Sequence, residues 1–162
     1  MGLKGFFFPR FTWRYALRVA GVAAAAYLIF GHVTVLTRIN GASMEPAYRD
    51  GSWIFCSKLR YLFHAPRLGD VVTVRMAGDR VMYLKRIVAL AGDTVEFRDG
   101  ILFVNGQPRR EPQVLGPCDW NLPPRQVAPG NVYVVGDNRS VPIELHMFGQ
   151  TAVSRIAGGP LW

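Results

Sequence analysis

A serine and a lysine stand in settings that could make them work together. Ser43 lies in residues 41–46 (GASMEP), and Lys85 follows among apolar neighbours in residues 84–88 (LKRIV). A serine hydroxyl is a weak nucleophile at neutral pH and needs a base. A lysine can be that base only if its surroundings keep it neutral. The two residues therefore predict a hydrolase in which a lysine activates a serine.

Lys85 falls in residues 80–90, whose composition predicts a β-strand. In a strand, Tyr83 and Ile87 share a face with Lys85. A free lysine has a pKa near 10.4, and work as a base near neutrality needs a pKa lower by about 2 to 3. Burial beside Tyr83 and Ile87 could lower it. The alternative is a lysine at a strand edge that extends to water.

Arg86 lies on the opposite face of the same predicted strand. Its guanidinium cannot be neutralised, so burial of this face would require a carboxylate partner. Asp137 is the candidate, because it lies in residues 136–139 (GDNR), directly after a predicted strand at 131–135. The alternative interpretation of this segment is an Asx-type turn without a partner.

The elements that must position these residues are predicted to be mainly β-strands. After residue 38 the sequence consists of short β-rich runs broken by glycine, and it contains no clear amphipathic helix. Residues 107–130 are rich in proline and predict an irregular excursion. The predicted strands are 52–57, 70–76, 80–90, 94–98, 101–104 and 131–135, with a hairpin turn at Asp99-Gly100.

Residues 19–36 are almost wholly apolar, and counted from Tyr15 the segment is about 22 residues, long enough to cross a bilayer. A buried core helix would show a polar face, and this segment shows none. A cleavable signal peptide is the other alternative, because Ala23 to Ala26 resemble a cleavage site, but these alanines lie inside the apolar stretch. We expect three parts: a cytoplasmic N-terminus (1–14), a transmembrane signal anchor (15–37) and an extracytoplasmic catalytic β domain (38–162).

The charge distribution supports this orientation. Lys4, Arg10, Arg14 and Arg18 precede or begin the span without any acidic residue, which by the positive-inside rule keeps the N-terminus cytoplasmic. The formal net charge is +8, and the residues after the span contribute +4 of it. That excess fits a domain resting on anionic lipid headgroups. No aromatic-and-basic motif predicts nucleic-acid binding.

The serine must stay close to the membrane surface, because only about six residues separate Ser43 from Leu36 and each spans at most about 3.5 Å. An extracytoplasmic location would permit a disulfide between Cys56 and Cys118. The three histidines are scattered, so we expect neither a metal site nor a cofactor.

Together these segments resemble the bacterial type I signal peptidases, the leader peptidase family that works with a serine and a lysine. Four ordered boxes behind a signal anchor make this match specific. The segments that carry it are 43–46 (SMEP), 69–72 (GDVV), 83–88 (YLKRIV) with Gly92-Asp93, and 136–139 (GDNR), together with the hairpin 99–106.

The resemblance implies a compact antiparallel β catalytic domain of signal-peptidase type behind one transmembrane helix. It implies that Ser43 is the nucleophile, that Lys85 is the general base, and that the backbone N–H of Ser43 stabilises the oxyanion. The substrate would be a translocated preprotein, cut after a small-x-small sequence such as Ala-x-Ala. The enzyme would lie in the cytoplasmic (inner) membrane, with signal peptides, lipid and the secretion machinery as partners.

The family also implies further site residues. Its pockets for small side chains correspond here to Met44, Tyr83 and Leu84, which could equally be plain core. Asn138 and Arg139 complete the last box as structural support.

Two positions depart from the family. Gly41 stands where many members carry a serine that adds an oxyanion donor, and Pro142 stands where members carry a serine that bonds the lysine. Ser140, backbone carbonyls or water are the alternatives for orienting the lysine. Glu144 and His146 fall where the family tends to have an acid and a base, which implies a supporting ion pair.

Three other functions stay open at this point. The base could be His146, with Asp137 or Glu144 as its orienter. The chain could be a dedicated processing peptidase of one secretion or conjugation system. It could also be an inactive relative that binds signal sequences, because Gly41 and Pro142 replace two hydroxyls.

Overall fold

The structure, a computed structural model, describes residues 12–75, 82–114 and 116–161. Several of the predictions fall elsewhere. Lys4 and Arg10 of the basic N-terminus, and residues 76, 80 and 81 at the ends of two predicted strands, lie outside the described residues.

Among the described residues, one helix precedes the β domain. Helix α1 (Trp13–Leu28) is rich in alanine, the best helix former, and Thr12 caps it by accepting a hydrogen bond from the backbone N–H of Tyr15. A π-helical turn, Ile29–Val33, continues it. From Trp13 to Val33 the helix is long and apolar enough to cross a membrane, and none of it is buried against the domain. It ends where the chain becomes extended at Thr34, so residues 34–37 of the predicted span lie in the first strand.

A seven-stranded antiparallel sheet forms most of the domain. Its strand order is β1-β2-β11-β3-β4-β9-β10, so the strand that comes last in sequence lies between β2 and β3. The strands are β1 (Thr34–Arg38), β2 (Trp53–Ser57), β3 (Val71–Arg75), β4 (Met82–Ala89), β9 (Asn131–Val135), β10 (Gly149–Ala152) and β11 (Ile156–Pro160).

A four-stranded antiparallel sheet packs beside it in the order β7-β6-β5-β8. Its central hairpin turns at Asp99 and Gly100, both with positive φ, as the predicted Asp-Gly turn requires. The excursion predicted as irregular contains two short edge strands, and edge positions tolerate the prolines of β8. The strands are β5 (Thr94–Arg98), β6 (Ile101–Val104), β7 (Gln107–Pro108) and β8 (Leu122–Gln126). The predicted class, mainly antiparallel β behind one apolar helix, is confirmed.

The two cysteines lie in different parts of the core. Cys56 is buried in a cluster with Met44, Ile54 and Leu84. Cys118 packs against a separate cluster around Phe97. Both thiols are free, so the disulfide considered from the sequence does not form.

Candidate active site

Ser43 and Lys85 meet in the structure. Ser43 lies in a single 3-10 turn, Ala42–Met44, in the connection between β1 and β2. Lys85 lies in the middle of β4, opposite Val72 of β3. Lys85 Nζ donates a hydrogen bond to Ser43 Oγ over 2.6 Å.

The surroundings of Lys85 favour its neutral form. The residue is only 2% exposed. Burial lowers the pKa of Lys85 from 10.5 to about 8, because a charged amine loses its hydration, and the carboxylate of Asp137 offsets part of this by raising the pKa. About one lysine in ten is then neutral at pH 7, compared with fewer than one in a thousand for a free side chain.

The turn that carries Ser43 is held by the segment after β9. The backbone N–H of Asn138 donates to the carbonyl oxygen of Ser43 over 3.0 Å, and Asn138 Nδ2 donates to that of Ala42 over 3.1 Å. Gly136 lies against the same carbonyl, because a Cβ at this position would lie 2.2 Å from Ser43 O. This close approach requires glycine.

Arg86, on the other face of β4, pairs with Asp137 as the sequence predicts. Arg86 Nε and Nη2 donate to the two oxygens of Asp137 over 2.7 and 2.6 Å, and Nη1 donates to the carbonyl oxygen of Gly69 over 2.8 Å. Asp137 is 1% exposed. The bidentate pair ties β4 to the segment that holds the Ser43 turn.

A family model described as "Signal peptidase, peptidase S26" matches residues 12–159, which is most of the chain. The chain belongs to this signal peptidase family.

Several curated members of the signal peptidase family are similar in sequence. A probable signal peptidase I-1 from Synechocystis is 34% identical over 132 residues, which cover 76% of this chain and 67% of the relative. Signal peptidase I from Bacillus licheniformis is 33% identical and the match covers 80% and 74%. Thylakoidal processing peptidase 1 from Arabidopsis thaliana is 34% identical, with 74% of this chain but only 38% of that protein covered.

A solved signal peptidase I from Enterococcus faecalis is also similar to this chain. The identity is 23%, and the match covers 59% of this chain and 97% of the other, with a TM-score of 0.48.

His146 occupies a buried position of this signal peptidase domain. Its Nε2 accepts a hydrogen bond from the backbone N–H of Gly136 over 2.9 Å. Burial, together with the positive charges of Lys85 and Arg139, lowers the pKa of His146 from 6.5 to about 3. The imidazole is therefore neutral, and the nitrogen that could act as a base is already an acceptor.

The ion pair predicted between Glu144 and His146 does not form. Glu144 is exposed, and no salt bridge joins it to His146 in the described part of the chain. The physical reason is that His146 is uncharged in its apolar surroundings, where Trp120 contacts the ring edge-on with centroids 4.7 Å apart.

The two departures from the family have local explanations. Ser140 is exposed and its Oγ donates to Asn138 Oδ1 over 2.5 Å, so it supports Asn138 rather than Lys85. Pro142 precedes a 3-10 turn, Ile143–Leu145. The backbone N–H of Gly41 donates to Asp50 Oδ1 over 2.8 Å, and the φ of Gly41 is 99°, a value that favours glycine.

Met44, Tyr83 and Leu84 line a small pocket beside Ser43. The pocket holds about 20 Å³, room for a group the size of a water molecule or a methyl. Met44 and Leu84 are also buried core residues, so these two side chains belong to the core as well as to the lining of the pocket. The other residues of the lining are Thr37, Arg38, Ile39, Asn40, Gly41, Ile54, Thr73 and Met82.

Glu111 and Trp120 support the site without any sequence signal that pointed to them. Arg139 is 2% exposed; its Nη2 donates to Glu111 Oε1 over 2.6 Å and its Nε donates to the carbonyl oxygen of Gly136 over 3.0 Å. The guanidinium also lies over the ring of Trp120. Both partners come from the excursion predicted as irregular, where no periodic pattern marks a buried residue.

Proposed function

We propose that this chain is a membrane-bound serine endopeptidase that removes N-terminal signal peptides from translocated preproteins after small-x-small sites. Ser43 is the nucleophile and Lys85 the general base. The observation that carries the proposal is the 2.6 Å contact from a buried lysine, with a pKa of about 8, to a serine hydroxyl. This combination supplies a base near neutral pH without a histidine.

The reaction begins with neutral Lys85. Its Nζ takes the proton of Ser43 Oγ as this oxygen attacks the scissile carbonyl carbon, and the backbone N–H of Ser43 stabilises the resulting oxyanion. The Lys85 ammonium returns the proton to the leaving amine, and an acyl-enzyme forms. Water, deprotonated by Lys85, then releases the signal peptide as a carboxylic acid and restores Ser43.

The pocket beside Ser43 supports the preference for small side chains, because its volume is only about 20 Å³. The short distance between the pocket and the end of the helix also fits a substrate that leaves the membrane. Thr37 lines the pocket and lies three residues after Thr34, where the helix has ended. Three residues of strand span about 10 Å, so a substrate leaving the bilayer can reach the pocket.

The direct test is cleavage of an Ala-x-Ala preprotein in detergent by the wild type, Ser43→Ala and Lys85→Met. We expect cleavage by the wild type alone. Ser154→Ala is the matched control, because Ser154 is exposed and outside the site, and it should cleave normally. Equal cleavage by all variants would refute the proposed pair, and no cleavage by the wild type would favour a binding relative.

The pH dependence tests the lysine separately. Activity should rise with pH through an apparent pKa near 8, as Lys85 loses its proton. Measuring kcat/KM from pH 6 to pH 10 checks this, where about two decades of rate are expected below the midpoint. A flat profile would assign the base elsewhere.

A further inference from the structure

A second pocket adjoins the small pocket at the contact between Ser43 and Lys85. Its volume is about 200 Å³, compared with about 20 Å³ for the small pocket. Tyr83 lines both pockets, whereas Ser43 lines only the small one and Lys85 lines only the second one. The two pockets therefore meet where the nucleophile is hydrogen-bonded to its base.

The proposed reaction gives the second pocket a place in the substrate complex. Ser43 attacks the carbonyl carbon of the residue whose side chain enters the small pocket. The nitrogen on the other side of the scissile bond takes its proton from Lys85 Nζ, so it must lie within hydrogen-bond distance of this atom. The residues that follow this nitrogen begin the mature protein. They continue on the side of Lys85, where the second pocket opens.

The second pocket carries positive charge. Lys85 and Arg155 line it, and no Asp or Glu does so among the described residues. Arg155 is exposed at the end of the 3-10 turn Val153–Arg155, and it forms no salt bridge in the described part of the chain. A guanidinium of this kind binds a carboxylate through two parallel hydrogen bonds. The lining thus favours a ligand with an acidic side chain.

The sheet indicates which substrate residue reaches the far end of the pocket. Strands β4, β9 and β10 are neighbours in this order, and Arg155 follows the end of β10 by three residues. Neighbouring strands lie about 4.8 Å apart, so β10 is about 10 Å from the strand of Lys85. An extended chain covers about 3.3 Å per residue. The second and third residues after the scissile bond therefore come close to Arg155.

We propose that the second pocket binds the first residues of the mature protein, and that Arg155 selects an acidic side chain at the second or third residue after the scissile bond. The inference rests on the proposed function and adds a requirement to it. The small pocket recognises the end of the signal peptide, and the second pocket recognises the beginning of the mature protein. Lysine or arginine at these two positions would meet a like charge.

A charge exchange tests the role of Arg155. Preproteins that carry Glu, Gln or Lys at the second or the third residue after an Ala-x-Ala site are cleaved in detergent, and kcat/KM is measured for each. The wild type should prefer Glu to Gln and Gln to Lys, with roughly tenfold between Glu and Lys, because a partly exposed ion pair contributes and like charges repel. Arg155→Glu should reverse the order. An unchanged order in this variant would overturn the inference.

Arg125→Glu is the matched control. Arg125 is exposed on β8 of the other sheet and lies outside the second pocket, and its replacement changes the net charge by the same amount. This variant should keep the wild-type order and the wild-type rates. A reversal here as well would assign the preference to the overall charge of the domain and would overturn a local role for Arg155.

Photo-cross-linking tests the binding position without any proteolysis. The full-length Ser43→Ala variant is irradiated with a preprotein that carries photo-methionine at the third residue after the site, and the adducts are located by mass spectrometry. We expect adducts within residues 147–155. Photo-methionine at the third residue before the site is the control, and it should label residues 37–44. Adducts of the first probe that lie only outside residues 147–155 would overturn the inference.

The two measurements separate this inference from the proposed function. Adducts within residues 147–155 together with a wild type that cleaves no preprotein would refute the proposed peptidase but not the binding position. Normal cleavage without a charge preference and without these adducts would refute the inference alone.

Discussion

Lys85 and Arg86 are neighbours on one strand, yet the two faces of β4 treat their charges in opposite ways. Arg86 has a carboxylate, Asp137, that it binds with two nitrogens. Lys85 has only the hydroxyl of Ser43 as its hydrogen-bond partner in the described structure. One face therefore stabilises a cation, and the other disfavours it.

The difference shows what separates a structural cation from a lysine that can act as a base. A carboxylate partner would keep a lysine protonated and remove its use as a base. Asp137 stays bound to Arg86, so it acts on Lys85 only through a longer-range charge effect that does not cancel the cost of burial.

The largest expected effect comes from Lys85→Arg. Arginine keeps the charge and the reach but does not lose its proton at accessible pH. Activity should fall at least 10⁴-fold, as it should for Lys85→Met. The measurement is kcat/KM on a preprotein, with thermal unfolding as the control for folding; appreciable activity in the arginine variant would contradict a lysine base.

Arg86→Met should reduce stability most, by about 3 to 5 kcal/mol, because it leaves Asp137 buried and unpaired. Denaturant unfolding in detergent measures the change. The double variant Arg86→Met with Asp137→Asn should recover part of the loss, because no uncompensated charge is left. A double variant less stable than the single one would show that the pair is not the cause.

Lys85→Met should change the stability in the opposite direction from Arg86→Met, because it should stabilise the fold. The pKa of Lys85 is lower in the folded state, about 8 compared with 10.5, so the penalty for its charge is fully present below pH 8 and fades toward pH 10.5. The penalty is about 3 kcal/mol. Subtracting about 1 kcal/mol for the lost bond to Ser43 leaves a gain of roughly 2 kcal/mol at pH 7.

Unfolding of the wild type and Lys85→Met at pH 7 and pH 10 checks that gain. The difference between them should shrink at the higher pH. A difference that is constant with pH would mean that burial of the charge does not determine it.

The smallest effect concerns His146. Its Nε2 accepts a hydrogen bond from the backbone N–H of Gly136, which lies against Ser43. His146→Phe removes the acceptor of the buried Gly136 N–H and should cost about 1 to 3 kcal/mol, with a lower kcat because Gly136 contacts Ser43. His146→Gln keeps an acceptor and should lose less. Equal losses in both variants would point to packing against Trp120 instead.

The strands that have a recognisable turn or an alternating apolar pattern could be predicted from the sequence. The bounds predicted for β5, β6 and β9 are those of the structure, because an Asp-Gly turn and alternating apolar runs define them. Strand β1 could not be separated from the helix, since Val35 and Leu36 continue its apolar composition. Strands β10 and β11 are rich in small residues, and each contains a single β-branched residue and no aromatic one, so the composition that marks a strand is weak there.

The residues of the site also divide into those that could be predicted from the sequence and those that could not. Ser43 and Lys85 could be predicted because a serine nucleophile needs a base and Lys85 lies in an apolar strand. The Arg86–Asp137 pair could be predicted because a buried arginine needs a carboxylate partner. The neutral state of His146 could not be predicted, because it depends on Trp120 and on a backbone N–H brought together by the fold. Such contacts leave no periodic pattern.

The position of β11 has a consequence for the order in which the enzyme is assembled during synthesis. Strands β1 and β2 flank the turn of Ser43, whereas Lys85 belongs to β4, and in the seven-stranded sheet β11 is the strand that joins these two halves. Residues 156–160 follow the other strands of the described residues in sequence, so they emerge after them. Closure of the sheet must therefore wait for β11. Ser43 and Lys85 have both been synthesised by then, but the two halves of the sheet that carry them are joined only when β11 is in place.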